Sequence, residues 1–290
     1  MADRQDEPTI TRLLISCADR PGIVAAVSRF LYDVGANIVS SSQHSSDPRG
    51  GQFFMRMEFN LALEPAERRA LEGRFAREVG DELALQWRMW DAGRPKRMAI
   101  LVSRRDHCLL DLLWRWRDGQ LSADVALVAS NHPDLRADVE SFGLPYRHVP
   151  VAPGRKPQAE RELLELLVDQ VDVVVLARYM QILSGEFLAR VGVPVINIHH
   201  SFLPAFAGAN PYEQARQRGV KLIGATAHYV TEQLDAGPII EQDVIRVSHR
   251  DDVRTLSRRG ADIERIVLAR AVQWHCEDRV LTHGPTTVVF

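Results

Sequence analysis

Two side chains in the run Ile196-Asn197-Ile198-His199-His200-Ser201-Phe202-Leu203-Pro204-Ala205-Phe206 have types and a spacing that could do chemistry. The stretch from Val193 to His199 is short, β-branched and apolar. Pro194 opens it and a Ser-Phe-Leu-Pro turn closes it, so it reads as a buried strand ending in a loop. Alternation along a strand puts Asn197 and His199 on one face and Ile196 and Ile198 on the other. An amide and an imidazole then emerge side by side at a strand's carboxyl end, where open α/β sheets bind their ligands. The third candidate is the carboxylate of Asp235, in the turn Leu234-Asp235-Ala236-Gly237-Pro238. Amide, imidazole and carboxylate together suit acid–base work and the stabilisation of a developing charge, provided the Asp235 turn folds back over the end of the Asn197 strand. Spacing alone leaves other readings open. Asn197 can satisfy backbone at a strand end, Asp235 can make an Asx-turn before Gly237, and His199 can be a hydrogen-bonded core histidine. His199, His228 and Asp235 also form a two-histidine, one-carboxylate set of the kind that holds a metal. Alternation sends His200 to the opposite face as a packing residue, and gives His228 the face of Thr226 and Val230, as a support to the site.

The segments around these residues read as a sheet that could hold them. Met98 to Ser103, Val125 to Ala129, Tyr146 to Val149 and Val171 to Ala177 are apolar strand candidates. Helical spacing over Cys108–Arg117, Pro133–Phe142 and Gln158–Val168 alternates with them, which implies right-handed crossovers and a largely parallel sheet covered on both faces. After Pro204 come a helix from Asn210 to Arg218, strands at Ile223–Val230 and Ile239–Val247 joined through the Asp235 turn, and a long helix from Val253 to Trp274.

The first part of the chain has a different order. Strands at Thr9–Cys17, Ile38–Ser45, Gln52–Leu61 and Leu83–Trp87 enclose helices at Ile23–Val34 and Pro65–Val79. That is βαββαβ, a ferredoxin-like sandwich. The polar, turn-forming segment Asp91-Ala92-Gly93-Arg94-Pro95-Lys96-Arg97 reads as a linker. The organisation is therefore residues 8–90, a linker at 91–97, and residues 98–290.

Bulk composition narrows the partners. In 290 residues, 36 basic side chains face 38 acidic ones for a net charge of −2, with no basic cluster to follow a phosphate backbone. Nucleic acid and membrane surface are not expected as partners, and the polar N-terminal residues lack the pattern of a signal peptide, so a cytoplasmic protein is expected. Cys17, Cys108 and Cys276 are far apart and lack metal-ligand spacing, which fits buried thiols in a reducing compartment.

Several motifs then fall into a known order. Asn197-Ile198-His199, the following Leu203-Pro204-Ala205-Phe206-Ala207-Gly208, and His228 through Asp235-Ala236-Gly237-Pro238-Ile239-Ile240 resemble the folate-dependent formyltransferase family, over about Met98 to Val247. Asp19-Arg20-Pro21-Gly22-Ile23-Val24 with Gly35-Ala36-Asn37-Ile38 resembles the ACT family of amino-acid-binding regulatory domains. These resemblances imply an α/β chain, an N-terminal ferredoxin-like ACT domain followed by a Rossmann-like formyltransferase domain with a mostly parallel sheet. Within the formyltransferase group, His200, the leading ACT-like unit and Leu176-Ala177-Arg178-Tyr179-Met180-Gln181-Ile182-Leu183 resemble the members that hydrolyse 10-formyltetrahydrofolate. Members that use a phosphorylated amine carry a glycine-rich turn after the first strand, where this chain has Ser103-Arg104-Arg105-Asp106-His107-Cys108. Without an amine acceptor, water is the nucleophile left to the site.

The resemblance implies that water attacks the formyl group on N10 of the folate. Asn197 and protonated His199 would stabilise the negative oxygen, and Asp235 would orient His199 and take a proton from the water. Met180, Gln181, Ile182, Leu183, Glu232 and Leu234 would bind the folate, with Met180, Ile182 and Leu183 as an apolar slot for the pterin. Pro21, Gly22, Ile23 and Asn37 would form an effector site, with glycine and methionine as candidate effectors, in a homo-oligomer. No metal or cofactor is expected, the folate being substrate. The products would be tetrahydrofolate and formate, supplying purine biosynthesis and balancing one-carbon pools. The alternatives are formyl transfer to a small amine and a non-catalytic amino-acid sensor.

Overall fold

A computed structural model describes residues 9–47, 49–205 and 211–290. The chain divides into two compact units, one running to Arg94 and including Glu277–Leu281 and Val288–Phe290, the other formed by Pro95–Cys276 and Thr282–Thr287. The expected second domain extends to residue 290, whereas residues 277–281 and 288–290 join the first unit, where Leu281, Val288 and Phe290 pack with Leu14 and Phe54.

The first unit contains β1 (Ile10–Ala18), α1 (Ile23–Asp33), β2 (Asn37–Ser45), β3 (Gln52–Asn60), α2 (Pro65–Phe75) and β4 (Gln86–Asp91). Its sheet has the order β2-β3-β1-β4, with β1 antiparallel to both neighbours. Leu13, Ile15 and Cys17 alternate onto the face covered by Val27, Phe30 and Phe75. Leu14 and Phe54 point the other way and are buried with Leu281, Val288 and Phe290. Each large side chain so buried stabilises the unit by about 1.5–3 kcal/mol. Arg56 donates to the carbonyls of Glu277 and Asp278, fixing that tail segment.

The last strand of this unit begins at Gln86, three residues later than the alternation from Leu83 predicts. The chain beyond α2 continues as a wider turn over Ala76–Gly80, Ala84 sits at a left-handed φ of 49°, and Leu85 N–H returns to the Gly80 carbonyl. Backbone donors that a strand needs are thereby used in the helix exit. The expected linker is shorter too, because Asp91 closes β4 and Lys96 opens the next strand.

The second unit runs β5 (Lys96–Val102), α3 (His107–Arg117), β6 (Ala123–Ser130), α4 (Arg136–Glu140), β7 (Tyr146–His148), α5 (Lys156–Leu167), β8 (Val173–Ala177), α6 (Gly185–Val191), β9 (Val195–His199), α7 (Pro211–Gln217), β10 (Leu222–Tyr229), β11 (Ile239–Arg246) and α8 (Val253–Cys276). A closing hairpin, β12 (Val280–His283) and β13 (Thr286–Val289), follows. The seven-stranded sheet has the order β11-β10-β9-β8-β5-β6-β7. The pairs among β9, β8, β5, β6 and β7 are parallel, while β9–β10 and β10–β11 are antiparallel. Every residue of β8 is buried, as a strand covered on both faces requires. The architecture is α/β and mostly parallel, as the alternation of elements predicts. Among the described residues, no helix is long and apolar enough to cross a membrane.

Candidate functional site

Antiparallel pairing of β9 with β10 sets Asn197 opposite His228 and His199 opposite Thr226. A bulge between Ala227 and His228 re-aims β10 at that point. His228 Nδ1 lies 2.9 Å from the Tyr229 carbonyl and must be the protonated nitrogen, since a carbonyl only accepts. Its Nε2 therefore accepts, from Asn197 Nδ2 at 3.2 Å, which fixes which end of the Asn197 amide is the NH2. Burial lowers the His228 pKa, in keeping with a neutral ring. Asn197 thus keeps a second amide N–H for a ligand.

The end of β9 is anchored by a fully buried threonine. Thr226 Oγ1 accepts from Leu203 N–H at 3.0 Å and from Gln242 Nε2 at 2.9 Å, and donates to the Ser201 carbonyl at 2.9 Å. This hub holds the loop that follows His199 and limits the ring's freedom. Residues 206–210, which include the end of the quoted Leu203–Gly208 motif and the first residue of the expected Asn210–Arg218 helix, lie outside the described residues.

Asp235 comes back over the sheet end. Its Oδ2 is 3.3 Å from His199 Nδ1, and its Oδ1 is 3.8 Å from His228 Nε2. The Asp235 pKa is lowered, chiefly by the hydrogen bond with His199 acting against partial burial, so the carboxylate is ionised at neutral pH. Asp235 has a left-handed φ of 55°, a conformation that Asp tolerates better than most residues but still at a cost. The turn depends on Gly237, where an added Cβ would collide with the Tyr229 carbonyl oxygen. His199 Nε2 is buried and, among the described residues, has no hydrogen-bond partner. An orphaned ring nitrogen beside an oriented amide and a carboxylate is a site prepared for a polar ligand.

The three predicted residues line one cavity of about 480 Å³, together with His228, Arg178 and His200. Met180, Gln181, Ile182, Leu183, Glu232 and Leu234 line it as well. Met180, Ile182 and Leu234 are 58%, 60% and 59% exposed, an apolar rim around a polar floor, and Leu183 is buried beneath it. Ser103 Oγ accepts from Met180 N–H and donates to Asn131. Ser184 caps α6 by accepting from Phe187 N–H while it donates to Glu160. These bonds hold both ends of the Met180–Leu183 segment.

Three expectations change. His200 is not turned away, because β9 ends at His199 and strand alternation ends with it. Its ring centroid lies 5.2 Å from that of His199, and burial, then the nearby Arg178 cation, drop its pKa to about 4. The metal alternative does not fit the donor set. Both nitrogens of His228 are already engaged, and among the described residues the one group of three ligand atoms close enough to share an ion is His107, Cys108 and Glu264. In that group Glu264 is bonded to His107 and Tyr212 and paired with Arg178. Finally, Ile23 is buried in the core of the first unit, where it opens the apolar face of α1, so only Pro21, Gly22 and Asn37 of the expected effector site are exposed. Arg178 was not singled out by its chemistry. A lone arginine after an apolar strand carries no periodic signal.

A parallel-sheet unit with this cluster at its carboxyl end, on a chain that also holds a βαββαβ unit, defines a class. Residues 96–272 match the formyl transferase family and residues 11–75 the ACT domain, and the chain belongs to the formyl transferase family. The relatives it resembles over nearly its whole length have a narrower name. Formyltetrahydrofolate deformylase of Mycobacterium tuberculosis is 57% identical over 281 residues, covering 97% of this chain and 91% of that protein. Formyltetrahydrofolate deformylase of Bacillus subtilis is 51% identical over 280 residues, covering 96% and 93%. The crystal structure of a formyltetrahydrofolate deformylase from Pseudomonas syringae pv. tomato superposes with a TM-score of 0.92 at 50% identity, covering 99% of this chain and 96% of that one.

Proposed function

We propose that Asn197, His199 and Asp235 carry out the hydrolysis of 10-formyltetrahydrofolate to tetrahydrofolate and formate. The observation that carries this reading is the approach of Asp235 to His199 Nδ1 while His199 Nε2, buried in the same cavity, has no hydrogen-bond partner among the described residues. A water oxygen bonds to the formyl carbon, and the carbonyl oxygen gains the negative charge. The second N–H of Asn197 and protonated His199 Nε2 face that oxygen, each such donor contributing about 3 kcal/mol to the transition state. Ionised Asp235 receives the water proton, general base work that contributes about 100-fold or more. The C–N10 bond then breaks, a proton goes to N10, and formate leaves.

Met180, Ile182, Leu183 and Leu234 pack on the flat pterin, with Gln181 and Glu232 at its polar edge. The folate is substrate, and the reaction as written uses neither metal nor cofactor. Formate supply to purine biosynthesis and balance of one-carbon pools follow from the products. The ACT domain serves regulation by amino acids, glycine or methionine, at Pro21, Gly22 and Asn37 of a homo-oligomer in the cytoplasm. The test is to incubate pure protein with 10-formyltetrahydrofolate and no amine. Stoichiometric formate supports the reading, and no formate above the uncatalysed background contradicts it.

A further inference from the structure

Arg178 lines the cavity, and neither the hydrolytic chemistry nor the pterin requires it. Arg178 follows β8 at a left-handed φ of 62°, which is costly for a side chain of this size. Its side chain is only 12% exposed and lines the same cavity as His199 and His200, near enough to His200 for its charge to disfavour the protonated ring. Strain of this kind persists only where surrounding structure enforces it. Arg178 Nε lies 3.4 Å from Glu264 Oε2, whose side chain is 2% exposed, an ion pair without hydrogen-bond geometry. Glu264 also accepts from Tyr212 Oη at 2.7 Å and is bonded to His107 Nε2 at 2.8 Å. Burial alone would raise the Glu264 carboxyl, but the bond to His107 and the charge of Arg178 bring its pKa down to about 2. Gly260, one turn before Glu264 on α8, leaves the space for the Tyr212 hydroxyl, because a Cβ there would collide with it.

We propose that Arg178, pinned by Glu264, is the specificity-determining residue that keeps this site a hydrolase. Its side chain, held on the wall of the cavity that His200 also lines, takes up space that an amine nucleophile larger than water would need. The proposal rests on the hydrolytic reading of the site. With the space opened, an amine nitrogen would bond to the formyl carbon and the C–N10 bond would break. One amine proton would go to Asp235 and N10 would take up a proton, giving an N-formyl amine in place of formate.

The left-handed backbone makes glycine the favourable replacement, since it relieves strain while deleting the side chain. The experiment compares wild type, Arg178→Gly, Arg178→Gly/Glu264→Gln and Arg178→Lys, each with 10-formyltetrahydrofolate and rising glycinamide. Formate and N-formylglycinamide are measured separately, and circular dichroism and melting identify the folded variants. The double variant avoids an unpaired buried carboxylate, and Arg178→Lys keeps a cation against Glu264. The expected result is a rise of about tenfold or more in the ratio of N-formylglycinamide to formate for the glycine variants, saturating with amine, and a smaller rise for lysine. Folded variants that still turn over with the wild-type ratio overturn the proposal. If wild type itself releases no formate, it is the hydrolytic reading that fails. If instead wild type already formylates glycinamide as readily as the variants, the blocking role alone fails.

Discussion

His199 Nδ1 lies 3.3 Å from Asp235 Oδ2, and the two residues come from segments separated by α7, β10 and the turn after it. The strand holds the imidazole and the turn delivers the carboxylate. The chemistry depends on closure of that turn over the sheet end.

Gly237 makes the closure possible. Gly237→Ala sets a methyl group against the Tyr229 carbonyl, so the turn must shift and carry Asp235 with it. The expected outcome is a loss of about 1–3 kcal/mol of stability, read by denaturant titration, with a larger fall in turnover than in folate affinity.

Asn197 acts through the proton-bearing end of its amide. Asn197→Asp replaces that donor by an acceptor facing His228 Nε2, itself an acceptor. kcat for formate release should fall about 100-fold with little change in KM, the pattern of an interaction made in the transition state.

His200 links pH to stability. Its folded pKa, about 4, lies below the ordinary histidine value of 6.5, because burial and then Arg178 disfavour the charged ring. Between those values the unfolded chain binds the extra proton. The neutral ring's contribution is therefore fully present above pH 6.5 and is lost as pH falls toward 4, on the order of 3 kcal/mol at most. Melting temperatures of wild type should drop across this window, and those of His200→Asn should drop less.

The donor set predicts the response to metal removal. His228 uses Nδ1 on the Tyr229 carbonyl and Nε2 on Asn197, so it has no nitrogen to give an ion. Formate release should survive exhaustive chelation unchanged, and reactivation by an added divalent cation would contradict this.

Much of the fold was legible because long, one-patterned segments dominate it. β8 is a continuous apolar run and α8 repeats its apolar face over 24 residues. The same patterns placed Asn197 and His199 on one face, which the pairing with His228 and Thr226 reproduces. What escaped was short or set by tertiary contacts. α6 spans only seven residues, although Ser184 at its start and Gly192 at its end were available as signals. The closing hairpin has strands of four residues each, too few for a period to declare itself. His200 and Arg178 sit just past strand ends, where alternation no longer predicts direction and loop closure decides. Ile23 is the opposite case, since helical spacing itself assigns that residue to the core, where it is buried.

The most direct test of the central claim compares formate release by wild type and Asp235→Asn, with folate binding measured on the same preparations. The variant is expected to bind the folate within a few-fold of wild type and to release formate about 100-fold more slowly or worse. An Asp235→Asn protein that releases formate at the wild-type rate would contradict the claim.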